Sequence, residues 1–232
     1  MCFISHFHVL YIEKRFYKLY NEYYWKRLLL IGGAHLPDTK NKNIKQIVET
    51  LNENVASLFK YNGEVAKQLF LHDEFNLNGK VDISVERKFL GEVLKYIPKT
   101  FKSVLYDGTS STSDFTKIDF PKVTHANIFD NEEIIMTIIV YDVEDEDWMF
   151  RWNHNIRMPE KHIYFHSIKW DVDYVKPEIV LMYELLDPID YHQIPNYRSV
   201  IDSLSYYQFV ILRLVVGDER INQALISEKK AI

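Results

Sequence analysis

The sequence predicts an α/β (α+β) fold: a short mixed sheet flanked by helices, with further helical parts toward both ends of the chain. Stretches with apolar residues at helical spacing alternate with short strand-like runs. One of these runs, Glu132 to Asp142 (EEIIMTIIVYD), is nearly continuously apolar, as a strand covered on both faces requires. Another, Val81-Asp82-Ile83-Ser84-Val85, alternates strictly, so that Asp82 and Ser84 share one face and the apolar residues the other.

Taken in order, the first helix candidate runs from about Val9 to Ile31, with Ile12, Phe16, Leu19, Tyr23 and Leu30 on one stripe and Lys14, Arg15, Lys18, Lys26 and Arg27 around the rest. It stops at Gly32-Gly33. Such a basic amphipathic helix can lie on a membrane surface or dock on a partner, though packing on its own domain is the commoner use. A polar linker (37–43) leads to a helix from about Ile44 to Phe59, with Ile47, Leu51, Val55 and Leu58 on one face. Asn62-Gly63 then reads as a turn, and Val65, Ala66, Leu69 and Phe70 as an apolar helix leading through a polar loop to the Asp82 strand. Lys88 to Ile97 is helical by the spacing of Phe89, Val93 and Tyr96, and Pro98 ends it.

Phe101 to Phe120 reads as loop, and its hydroxyl-rich run Gly108 to Asp114 is more simply a polar surface segment than a phosphate contact. Asn127 to Phe129 and Glu132 to Asp142 are strands, and the acids from Asp142 to Asp147 look like the turn of a hairpin. Two short strands lie before a helix that starts at about Pro177; helices Pro195 to Leu204 and Tyr206 to Val216 complete the chain. The expected divisions are a helical extension and linker (1–43), a core (44–176) and a helical C-terminal part (177–232).

At 232 residues and 47% hydrophobic composition the chain can build a sizeable core. A net charge of −5 argues against a general DNA or RNA binder. The single Cys2 can make no internal disulfide and is a poor nucleophile candidate, which fits a cytoplasmic setting. The N-terminal text is broken by His6, His8 and Glu13, and no apolar run reaches eighteen residues, so neither a signal peptide nor a membrane span is expected. The nine His show no zinc spacing. Asp171-Val172-Asp173 is a literal Asp-x-Asp, but no glycine turn precedes it at the distance a nucleotide site needs.

The stretch Asn62 to Val85 resembles the opening of the nucleotidyltransferase superfamily, in particular the small adenylyltransferases that modify aminoglycoside and lincosamide antibiotics. There a Gly-Gly turn precedes a helix, and a strand about seventeen residues on carries the Asp-x-Asp that holds magnesium. The texts LFL (Leu69 to Leu71) and VDI match at the family's spacing. So do Trp148, Arg151, Ile156, Arg157 and Pro159 in WMFRWNHNIRMP, and the Pro177-Glu-Ile-Val-Leu helix. The resemblance covers about Ile44 to Glu219. It implies a nucleotidyltransferase-like core, with Mg²⁺ and a nucleoside triphosphate as cofactors if the site is active. It further implies Asp82 and Asp142 as catalytic and metal-binding carboxylates, and Gly63, Lys80 and Ser84 beside the nucleotide.

Several polar positions depart from that pattern. Glu64 stands where the second glycine would be, Lys80 where the first Asp would be, and Glu184 where a Lys would be; His192 to Tyr197 replace a Lys-Asp-x-x-Asp-Phe text. Exchanging a carboxylate for an ammonium a few ångströms from a dication is costly: unit charges about 4 Å apart interact by about 4 kcal/mol at an effective dielectric near 20.

Three functions follow as expectations. The first is a catalytically impaired nucleotidyltransferase-like protein that still binds a nucleotide or small ligand, with Lys80 as a point charge for phosphate. The second is an active Mg²⁺-dependent enzyme modifying a small hydroxylated acceptor such as an antibiotic. The third is an interaction protein whose N-terminal helix mediates self-association or holds a partner.

Overall fold

The computed structural model describes residues 41–187 and 194–226. The first helix candidate, Gly32-Gly33, Cys2, His6, His8, His192 and Gln193 lie outside the described residues.

The chain begins with α1 (Lys42–Val55), started by Asn41, whose side chain accepts from the Asn43 and Ile44 amides. Its Ile44, Ile47, Val48, Leu51 and Val55 are buried. The helix ends earlier than the periodicity suggested, because the buried run Phe59–Asn62 is a strand, β1. Helix α2 (Gly63–His72) follows directly, then β2 (Val81–Glu86) and the short α3 (Leu90–Lys95). The expected loop 101–120 contains two further strands, β3 (Lys102–Tyr106) and β4 (Ser111–Thr112).

Strands β5 (His125–Asp130) and β6 (Glu133–Glu144) lie where expected. The acidic turn connects β6 to β7 (Asp147–Met149), with Asp145 and Glu146 both at positive φ as a two-residue hairpin requires. Then come β8 (Arg157–Pro159), β9 (Tyr164–Ser167), β10 (Val172–Val175), α4 (Pro177–Leu186), α5 (Ile194–Ser203), α6 (Tyr206–Val216) and α7 (Asp218–Ile226).

Among the described residues the strands form one mixed sheet, ordered β4-β3-β5-β6-β2-β1-β10-β9, with β7 and β8 attached at the far end of β6. The pairs β2/β6 and β1/β10 are parallel and the others antiparallel. The apolar alternation of β2 buries Val81, Ile83 and Val85 completely, in one core with α1 and α3. That leaves Asp82, Ser84 and Glu86 on the opposite face. Helix α2 packs on β1, β2 and β10 and also meets α4 and α5. Among the described residues no helix is long and apolar enough to cross a membrane.

Candidate functional site

Strand register builds the site. Asn62 pairs with Asp82, Asp82 with Thr137, and Thr137 with Asn127, which sets four hydrogen-bonding side chains side by side across β1, β2, β6 and β5. One step along the same face runs a second row: Lys60, Ser84, Ile139, His125 and Tyr106. The two rows are tied together internally. The Asn62 amide donates to Ser84 Oγ at 2.8 Å, and Thr137 Oγ1 donates to Asn127 Oδ1 at 3.0 Å.

Asp82 lies at the centre. Its Oδ1 is 2.9 Å from Lys80 Nζ, and the Asp82 side chain is 18% exposed against 48% for Lys80. Although close, the ammonium does not meet hydrogen-bond geometry, and this buried oxygen has no hydrogen-bond partner. Burial pushes the Asp82 carboxyl above its usual value, while Lys80, the Thr137 hydroxyl and Lys67 pull the other way without offsetting it. Gly63 presses on the same group. It has φ +57°, and a Cβ placed there would lie 2.6 Å from Asp82 Oδ2, so only glycine fits at this turn.

A second charged cluster lies beside the first. Lys67, inside α2 and 1% exposed, donates to both Glu184 carboxylate oxygens at 3.1 Å and lies 3.4 Å from Glu64 Oε2. It also faces the Tyr197 ring at 5.5 Å. Burial raises the Glu184 carboxyl, Lys67 lowers it, and the repulsion of Glu64 and Asp82 raises it further. Where the resembled family carries a Lys on the later helix, this chain carries a Glu, and the ammonium it faces comes from α2.

At the other end of the second row His125 and Tyr106 stack, with ring centroids 4.4 Å apart and planes within 5°. The His125 Nδ1 is 3.0 Å from Thr124 Oγ1, which also lies 3.2 Å from the Tyr106 carbonyl, so the imidazole is hydrogen-bonded to Thr124. Burial, then Arg151 and Lys80, hold the imidazole below its ordinary pKa and hence neutral at pH 7.

The structure therefore brings together Gly63, Lys80, Asp82 and Ser84. It does not bring Asp142 to them. The β6 residue beside Asp82 is Thr137, and Asp142 lies five residues further along, about 16 Å at ordinary strand rise. Asp142 is held instead by Arg87, whose Nε reaches Oδ1 and whose Nη2 donates to Oδ2 at 2.8 Å. The same guanidinium caps the Phe120 and Val123 carbonyls through Nη1, at 3.3 and 2.6 Å. The Arg87 hydrogen bonds hold the Asp142 carboxyl below its usual range, against the raising effect of burial.

Magnesium prefers several hard oxygen ligands in octahedral array, and these residues do not fit it. Asp82 is the carboxylate of its row, its strand neighbour Thr137 is neutral, and an ammonium lies against it. Glu64 and Glu184 are engaged by Lys67. Among the described residues no three His, Cys, Asp or Glu side chains converge to hold a metal. Sequence reasoning missed Asn62, Thr137, Asn127, His125 and Lys67. The available signal was the one hydroxyl in the apolar run IIMTIIV, together with the alternation His125, Asn127 on β5.

No protein-family model matches the chain, and no curated protein sequence does. Among solved structures it is similar to ANT(2")-Ia in complex with adenylyl-2"-tobramycin, with a TM-score of 0.49 and 14% identity, over 77% of this chain and 97% of that one. It is also similar to the Megavirus polyadenylate synthase, with a TM-score of 0.35 and 10% identity, over 87% of this chain and 38% of that one.

Proposed function

We propose that this chain is a nucleotidyltransferase-like protein that binds a nucleotide, or a similar phosphate-bearing small molecule, at the Asp82 rows, with metal-dependent transfer lost or much weakened. The observation that carries this reading is the Lys80 ammonium 2.9 Å from Asp82 Oδ1, where a metal-dependent site would need a divalent cation. Lys80 is half-exposed on a flexible stem, so it can turn to a phosphate as a point charge.

Thermal unfolding with ATP, GTP, CTP and UTP tests the proposal. A ligand at about 100 times its Kd adds about 2.7 kcal/mol, a rise of roughly 5–10 °C for a chain of this size. The rise is expected to persist in EDTA and to disappear in Lys80→Ala. An unchanged rise in Lys80→Ala, or none with any nucleotide in the wild type, sinks the reading.

A further inference from the structure

The second row of the sheet face has a feature that phosphate binding alone does not use. Between Ser84 on β2 and His125 on β5 lies Ile139, a half-buried apolar side chain at the strand position between them. On the far side of His125 stand the Tyr106 ring, stacked on it, and beyond that Ser111, small and exposed, paired with Tyr106 across β3 and β4. His125 thus has one face covered by Tyr106, and its neighbour on the other side is the low aliphatic Ile139. Side chains on adjacent strands are about 4.8 Å apart, so a planar ring seated over Ile139 would meet the imidazole at ordinary stacking separation.

We propose that His125, backed by Tyr106 and floored by Ile139, is a stacking wall for the heteroaromatic base of a nucleotide whose phosphates reach Lys80. This rests on the phosphate-binding role given to Lys80 above. Three features of the chain fit such a ligand. The imidazole is neutral and its orientation is fixed by Thr124, so it offers a preset π face rather than a mobile cation. Lys80 Nζ lies 2.9 Å from Asp82, whose side chain is on the same sheet face as His125, so the ammonium and the ring wall border one surface. His125 is two strands across and two residues along from Asp82, about 10 Å by 7 Å. An extended nucleoside di- or triphosphate can bridge that span.

The experiment compares affinities by calorimetry for ATP, CTP and inorganic tripolyphosphate in EDTA, using wild type, His125→Phe and His125→Leu. The base-bearing ligands are expected to bind wild type at least tenfold more tightly than tripolyphosphate. His125→Phe should keep that preference because it keeps a ring, and His125→Leu should bring ATP and CTP down to the tripolyphosphate value. Equal binding of all three ligands by wild type overturns the stacking wall while leaving the role of Lys80 standing. A preference undiminished in His125→Leu also overturns it. Failure of all three to bind wild type overturns both. Matching unfolding temperatures of the two variants show that a lost preference is not lost folding.

Discussion

Asp82 and Asp142 lie on neighbouring parallel strands of one sheet, and their surroundings are opposite. Asp142 accepts two hydrogen bonds from one guanidinium that also ties down two loop carbonyls, so every partner is satisfied. Asp82 is more enclosed, keeps a buried oxygen without a hydrogen bond, and has a half-exposed ammonium beside it. A satisfied carboxylate serves the fold. A buried carboxylate left short of partners opposes it, and such groups collect where ligands bind.

The largest expected effect is at the satisfied end. Arg87→Ala leaves Asp142 without its guanidinium and the Val123 carbonyl without its side-chain donor, while the Phe120 carbonyl keeps the Val123 amide, and should destabilise by about 1–3 kcal/mol in denaturant titration. A loss below about 1 kcal/mol would remove the contrast. Asp82→Asn should behave differently: no loss of stability, or a gain of about 1 kcal/mol, because a poorly compensated buried charge is removed and Lys80 returns to water. A clear loss would make Asp82 a structural residue like Asp142.

The smallest effect is in the acid dependence, where the two aspartates have opposite signs. The Asp142 carboxyl is lowered in the fold, so its stabilisation is present above the ordinary Asp range and is lost as pH falls through its lowered folded value. The Asp82 carboxyl is raised, so its contribution improves as pH falls from that raised value toward the ordinary range. Asp142→Asn should therefore flatten the acid loss of stability and Asp82→Asn should steepen it, measured as unfolding free energy from pH 7 to 3. Changes of the same sign in both variants would contradict the two assignments.

What the sequence revealed follows the same division. The face of Asp82 and Ser84 was legible because period-two alternation is local, and so was the glycine turn at Gly63. Strand β1 was not, since its four residues continue the apolar spacing of α1 and only burial on both sides separates them. Strand β3 was hidden beside a hydroxyl-rich turn. That Asp142 lies away from Asp82 was not legible because β6 is twelve residues long, and sequence does not say which residue of a long strand lies beside its partner. The Lys67–Glu184 pair spans 117 residues, a pairing only the folded topology makes. Thr137 and Asn127 looked like ordinary strand residues until register set Thr137 next to Asp82 and Asn127 next to Thr137.

The most direct test of the central claim, that an ammonium stands where a divalent cation would, is the affinity of the wild-type chain for ATP measured by calorimetry in excess Mg²⁺ and again in EDTA. Affinities within about threefold of each other are expected. Binding that is more than tenfold tighter with Mg²⁺, or that vanishes in EDTA, would contradict the claim and return Asp82 to metal-dependent chemistry.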